Sequence, residues 1–388
     1  MGTKQFDSAT DLITFTRASG GTFLGSNGLL QTATNNTPRI EYNADGTVKG
    51  LLIEEARTNL LTYSEDFSNS GWAKDNLTVG TGVTSPDGTT VSDRLTANTN
   101  GFTHLYPSTR SSTTGVTYST SVFAKANTHN IVQLNAPSTS SIFVNFNLTT
   151  GVKGTENNCT ASIQSVGDGW YKCSITWVSA STLNSFGFSI VDNITSGRTT
   201  ATTAGYSVDV YGAQAEAGAF PTSYIPTVSS TATRARDFAQ ILTSAFGYNN
   251  DKGSLVIDVL TPDADQFTGL AVFNTVNYHN SRGLWKGNNA LNGAGDYFFF
   301  QTFDGVVTKF LLGQQTQAEH TKLGLSYGDN ENAVKDGGTV ISGTRRYPNP
   351  IRLILGGRDD GVQSQCWIKS IKYYPRRLTN VQLQELTT

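Results

Sequence analysis

Four histidines, three cysteines and a few closely spaced acids are the residues from which chemistry could be built, and their spacing argues against most of it. His104, His129, His279 and His320 form no HxH or HExxH pattern and have no cysteine at metal-ligand spacing. Cys159, Cys173 and Cys366 contain no CxxC pair. Cys159 and Cys173 fall where neighbouring strands bring them near each other, and reduced, packed thiols are the expected state. In "IEEART" the adjacent Glu54 and Glu55 point to opposite faces of an extended strand, so they cannot flank one glycosidic bond; one of them is expected to pair with Arg57 or Arg39. Asp263 with Asp265, and Asp329 with Glu331, have the two-residue spacing of calcium-ligating turns. The full EF-hand and nonapeptide patterns are absent, and acids in turns also arise from local hydrogen bonding, so no cofactor or metal is expected.

Aromatic residues are the remaining signal. Sugar rings stack on exposed aromatic faces while nearby amides and charged groups fix their orientation. The stretch "NYHNSRGLWKG" holds Tyr278, Asn280, Arg282 and Trp285, and reads as a polar, Asn- and Gly-rich loop between two apolar strands. These four are the candidate glycan-binding residues; the alternative is that Trp285 merely covers the end of a sandwich. Trp170, Trp177 and Trp367 lie within strand patterns and read as core. Tyr297 to Phe300 must split between two faces, leaving two to point outward or to meet another subunit.

The elements that position these residues are strands. Hydrophobic residues make up 37% of the 388 and charged residues 15%, with 39 glycines against one methionine, the balance of an all-β protein with polar faces and many turns. "TYSTSVFAKA" (117–126), "SIFVNFNLTTG" (141–151), "GWYKCSITWVSA" (169–180), "SFGFSIVD" (185–192) and "GYSVDVYGAQ" (205–214) alternate apolar and polar residues, as in an antiparallel sandwich. A second set runs from "GSLVIDVLTP" (253–262) to "CWIKSIKYYPRRL" (366–378). Only "TNVQLQELTT" predicts a helix, with Thr379 as N-cap and Val381, Leu383 and Leu386 on one side. The expected organisation is an adaptor segment (1–66), a jelly roll (67–227), a linker (228–252) and a second β-sandwich (253–388). The adaptor has too little apolar surface for its own core and should lean on the next domain or on a partner chain. In "YGAQAEAGAFPTSYIPT" (211–227) the strand is expected to stop at Gly212, and Pro221 and Pro226 to deny the tail further ladder pairing.

The net charge of −2 gives no broad field towards nucleic acid, and no apolar run predicts membrane insertion or a signal peptide. Synthesis in a cytoplasm without secretion is expected.

Four blocks, "ITFTRASGGTFLGSNGLLQT", "PRIEYNADGTVKGLLIEEARTNLLTYSEDFSNSGW", "YGAQAEAGAFPTSYIPTVSSTATRARD" and "IKSIKYYPRRLTNVQLQELT", resemble, in this order, blocks of tailed-bacteriophage virion proteins of the tail-fibre, minor-tail and head-fibre kind. Within that resemblance, residues 72–215 are similar to carbohydrate-binding-module jelly rolls, and residues 253–388 to concanavalin-like and laminin-G-like lectin sandwiches. It implies a non-enzymatic structural protein of the virion that contacts other virion proteins and host-surface glycans. A homo-oligomer is implied, with a trimer from the fibre likeness. The rivals are a head-fibre or tail component without a sugar site, and a polysaccharide-degrading tailspike, for which neither β-helix repeats nor an acid pair are present.

Overall fold

The computed structural model describes residues 12–108, 112–136, 142–180, 182, 186–198, 200–262, 268–275, 280–288, 296–304, 307–314, 319–344, 349–358, 361–363 and 365–388. Among them the strands form two antiparallel β-sandwiches, and the one α-helix is Asn380–Thr387.

The first sandwich faces two six-stranded sheets across one core. One, here called the junction sheet, runs in the spatial order Thr160–Gly167, Trp170–Val178, Thr117–Ala126, Ser207–Ala217, Val91–Ala97 and Leu77–Thr84. The other, the distal sheet, runs Val152–Asn157, Ile142–Asn147, Ile131–Ala136, Gly187–Ile190, His104–Pro107 and Trp72–Asp75. Period-two alternation sorts the faces: Val122 and Ala124 join Leu134, Val144, Phe146 and Phe188 in the core, while Ser119, Ser121 and Phe123 lie on the opposite face.

The second sandwich pairs two seven-stranded sheets. Gly253–Leu260, Thr268–Asn274, Asp296–Asp304 and Cys366–Tyr374 fall where strands were expected, Asn280–Asn288 and Val307–Gln314 are strands the patterns did not mark, and Thr379 caps the helix with a full capping box to Gln382. Leu383 and Thr387 are the buried residues of that helix, whereas Val381 is exposed.

Two expected boundaries are corrected. Residues 1–66 are not a separable adaptor. Thr14–Thr16 is an edge strand of one sheet of the second sandwich, and Arg39–Tyr42 and Val48–Ile53 extend the other next to Cys366–Tyr374. The hairpin Gly21–Leu24 and Leu30–Ala33 instead sends Leu24 onto the outer face of the junction sheet, against Phe123, Trp170 and Tyr224, and Leu61 and Phe67 enter the first core. The segment therefore stitches both sandwiches. Nor is 228–252 a linker: Phe238–Leu242 sits between Thr14–Thr16 and Arg352–Leu355, and Ala232–Arg234 pairs Arg57–Asn59. Thr14–Thr16, Ala232–Arg234 and Phe238–Leu242 are too short to show a clear period, and their partners lie far away in sequence.

The strand before the proline tail also runs longer than expected. Ser207–Ala217 continues through Gly212, which takes φ +61° at a bulge; a Cβ there would come 3.0 Å from the Phe123 ring. The tail then pairs with side chains instead of a ladder. Glu216 accepts from the backbone and hydroxyl of Thr222, both at 2.7 Å, and Gln214 Oε1 accepts from the Ile225 amide at 2.7 Å.

Between the sandwiches lies a buried charge network. Arg39 contacts both Glu54 (2.8 Å) and Asp237 (2.6 Å), Arg17 meets Asp237 at 3.1 Å, and Arg234 approaches Glu54 at 3.5 Å, all five side chains being at most 1% exposed. Ser223 of the tail donates its amide (2.8 Å) and hydroxyl (2.7 Å) to Glu54, as does Gln365 through its amide group (2.9 Å). Burial alone would raise the Glu54 carboxyl, but Arg234, Arg39 and Ser223 outweigh it and hold it well below the ordinary carboxylate range.

Deleting residues 1–66 removes Phe15, Leu51 and Ile53 from one core and Leu61 from the other. The remainder is expected to lose its cooperative thermal transition in near-ultraviolet circular dichroism, and a sharp transition would contradict the stitched architecture. Glu54→Gln strands Arg39 and Arg234 beside a neutral group and is expected to cost about 3–5 kcal/mol in urea denaturation at pH 7. Because the Glu54 carboxyl is depressed in the fold, its stabilisation is complete above the unfolded value of about 4.3 and fades as the pH falls below it. The wild type should therefore lose more stability than Glu54→Gln between about pH 5 and pH 2.

Candidate functional site

The stretch expected to be a sugar-binding loop is the strand Asn280–Asn288, paired on both sides. Trp285 is 1% exposed and packs with Val272 and Phe299. Arg282 is fully buried, its guanidinium 4.2 Å above the Tyr327 ring and its Nε 3.7 Å from Glu331. Neither offers a face to a ligand in solution. Tyr278 lies outside the described residues, as does the Asn280 side chain. The misreading has a physical cause: Arg282, Leu284 and Lys286 share one face of the strand, all buried, and two cations among them erase the apolar alternation that marks a strand.

Other expectations resolve plainly. Glu54 pairs with Arg39 and Glu55 with Arg57, so both acids are structural. Glu331 is buried while Asp329 is exposed, which separates that pair, and Asp263 and Asp265 lie outside the described residues. Among the described residues no three of His, Cys, Asp and Glu gather to hold a metal ion. The three cysteines are free thiols, and burial pushes Cys159 up to about 11 and Cys366 up to about 12, which keeps both protonated and unreactive at neutral pH. Phe298, Phe299 and Phe300 are all buried, so none of the three points outward.

A candidate binding surface emerges on the outer face of the distal sheet. The register sets Gln133 opposite Asn145 on one side and Ser189 on the other, and Asn135 opposite Phe143 and Gly187. Because Leu105 pairs with Phe188 and faces the core, His104 and Tyr106 share the outer face with Ser189 and Gly187. Uncharged hydrogen-bonding groups thus cross four strands. At one end the row is closed: Gln133 donates to the Gly197 carbonyl (2.9 Å), and Asn145 to those of Ile194 (3.1 Å) and Ser196 (2.6 Å).

At the other end His104 and Tyr106 keep part of their surface exposed, while Asn135 and Ser189 are buried. His104 Nε2 hydrogen-bonds Asn135 Oδ1 at 3.0 Å, Asn135 donates to Ser189 at 3.3 Å, and the His104 and Tyr106 rings lie 4.7 Å apart, both half-buried. The bond between Asn135 and His104 arches over Gly187, where a Cβ would fall 2.3 Å from Asn135 Oδ1 and 2.6 Å from His104 Nε2. Arg198 reaches the same end of the sheet and donates to the Ala136 carbonyl at 3.3 Å. Burial lowers its pKa, and among the described residues no carboxylate pairs with it. The arrangement sets the partly exposed His104 and Tyr106 rings and a forked cation around a buried amide whose donor and acceptor are both in use; an aromatic step beside a guanidinium suits a hydroxyl-rich ring with an acidic substituent. Of the four strands that carry this face, the sequence patterns marked Ile142–Asn147 and Gly187–Ile190 but not Ile131–Ala136 or His104–Pro107. The signal available was the choice of amides, rather than charged residues, at the outward positions of "IVQLNA" and "FVNFN".

No protein-family model and no curated protein matches the chain. Among solved structures it is similar to the CBM40 of the Ruminococcus gnavus IT-sialidase bound to α2,3 sialyllactose, at 14% identity and a TM-score of 0.31 over 37% of this chain and 87% of that one. It is also similar to domain 4 of the Geobacillus stearothermophilus arabinanase AbnA in complex with arabinotriose, at 13% identity and a TM-score of 0.31 over 44% and 82% of the two chains. The CBM22 tandem of Paenibacillus barcinonensis Xyn10C aligns at 10% identity and a TM-score of 0.28 over 82% of this chain and 98% of that one. The first and last of these are carbohydrate-binding modules. The all-β, two-sandwich architecture of this chain is established by its own sheets.

Trp285→Ala is expected to destabilise the protein by about 3–5 kcal/mol in urea denaturation, the cost of emptying a packed site. A folded Trp285→Phe protein that had lost glycan binding would return the site to this strand.

Proposed function

We propose that the chain is a non-catalytic structural protein of a tailed-bacteriophage particle whose first sandwich contacts host-surface glycans through the His104 and Tyr106 end of its distal face. The observation that carries the glycan reading is the set His104, Tyr106, Asn135 and Arg198, held in place by the sheet and by Ser189, with Arg198 left without a carboxylate partner among the described residues. A half-buried guanidinium of this kind gains most from an acidic sugar substituent or from a hydroxyl that accepts its N–H groups.

The virion reading rests on the ordered sequence blocks that resemble phage virion proteins. Those blocks supply Arg17, Arg39, Glu54, Glu216, Ser223, Arg234 and Asp237, the residues that lock the two sandwiches together. A fused, stiff pair of sandwiches suits an exposed appendage. Contact through one small face is weak, and several copies on a particle, as in the implied trimer, convert it to avidity.

The test is a glycan array that includes acidic and neutral host-surface oligosaccharides, read with the wild type, Arg198→Ala and Tyr106→Ala. Acidic glycans should be retained by the wild type and lost at least tenfold in each variant, since a stacked aromatic or a charge-assisted bond contributes about 1–3 kcal/mol. Wild type that binds no glycan would leave the purely structural reading of the particle component, and variants that bind as well as wild type would remove the glycan site from the distal face.

A further inference from the structure

We propose that the gap between the two sandwiches is a second binding site, of pocket type, for a neutral, hydroxyl-rich ligand the size of one sugar ring. This inference stands apart from the distal face, which lies on the opposite side of the first sandwich. A cavity of about 210 Å³ opens there, equal to the liquid volume of about seven waters at ~30 Å³ each. That is the bulk of a single pyranose rather than of an oligosaccharide or a bare ion.

Both sandwiches and the proline tail build its walls. Trp367 comes from the second sandwich, Phe220 and Pro221 from the tail, and Lys172, Gln164 and Ser162 from the outer face of the junction sheet. The apolar walls fit the C–H faces of a sugar, while the last three residues offer hydrogen-bonding groups beside them. Gln164 and Ser162 are exposed, at the solvent side. Lys172 spends one of its three N–H donors on the Thr222 carbonyl at 2.6 Å.

The charges around the cavity decide the class of ligand. Glu41 is paired with Lys49 at 3.1 Å, and the Lys49 ammonium sits 3.5 Å from the centre of the Trp367 ring. Glu54 is committed to Arg39 and Arg234, and Glu216 to Thr222. Lys172 is opposed by Glu216, Glu54 and Glu41 together. An ionic ligand would have to displace one of these partners in a desolvated space, at a cost that hydroxyl groups avoid.

The experiment is ligand-observed saturation-transfer NMR followed by calorimetry on the full chain, with the methyl glycosides of glucose, galactose, mannose and N-acetylglucosamine, and glucuronic acid as the charged counterpart. At least one methyl glycoside should bind with a dissociation constant on the order of 1 mM and glucuronic acid more weakly. Ser162→Tyr, which fills the mouth, and Lys172→Met, which removes the donor, should each weaken that binding at least tenfold; Gln164→Ala, at an exposed position, provides a third variant that keeps the fold. The constant should be unchanged in Arg198→Ala. The proposal is overturned if no methyl glycoside binds, if glucuronic acid is preferred, or if Ser162→Tyr binds as the wild type does. Loss of the same binding in Arg198→Ala would assign it to the distal face and also overturn the proposal.

Discussion

Three arginines and two acids with no access to water hold this molecule in one piece. Removing ions from water is expensive, and such a cluster persists only where every charge is met by partners of good geometry. Here Asp237 bridges Arg17 and Arg39, and Glu54 bridges Arg39 and Arg234. The spare guanidinium donors go to backbone carbonyls: Arg17 to Ser19 and Thr34, Arg39 to Thr22, and Arg234 to Glu55. Each contact ties a different stretch of chain to the same point. The N-terminal strands, the hairpin, the proline tail and the first strand after it are thereby fixed together, and the two sandwiches share one boundary that cannot open without exposing charge to an incomplete set of partners.

That constraint divides the surfaces of the first sandwich. Its junction sheet is spent on the hairpin, the tail and the second sandwich, with Phe123, Trp170, Tyr211 and Tyr224 in one small apolar cluster. The ligand contacts proposed above are left to the distal sheet and to the space where tail and sheets do not fill the boundary. The amides of the distal face hydrogen-bond to one another, which fixes their orientation in advance and would limit the side-chain freedom lost on binding. In that proposal Arg198 and Tyr106 act on a platform that is already ordered.

The buried fate of Trp285 and Arg282 follows from the same economy of faces. Asn280–Asn288 carries buried residues on both faces, Leu284 in the core and Trp285 with Val272 and Phe299 on the other side, and an arginine there survives by stacking on Tyr327 beside Glu331. An aromatic residue between Asn and Gly in the sequence looks like a loop contact. In the fold it is a packing residue.

The sequence by itself determined the class of structure and much of its detail. Alternation placed the strand Thr117–Ala126 residue for residue, Thr379 announced the terminal helix, and the opposed directions of Glu54 and Glu55 announced an ion pair for one of them rather than a catalytic couple, where the fold pairs both. These are local properties, written in periods of two and in capping chemistry. Only the tertiary structure decided that Val48–Ile53 lies beside Cys366–Tyr374, that Phe238–Leu242 is a strand rather than a link, and that Asn135 meets His104 above Gly187. The physical reason is sequence separation: such pairings join short segments whose own patterns are too brief to signal, and their energy comes from partners that no local window contains.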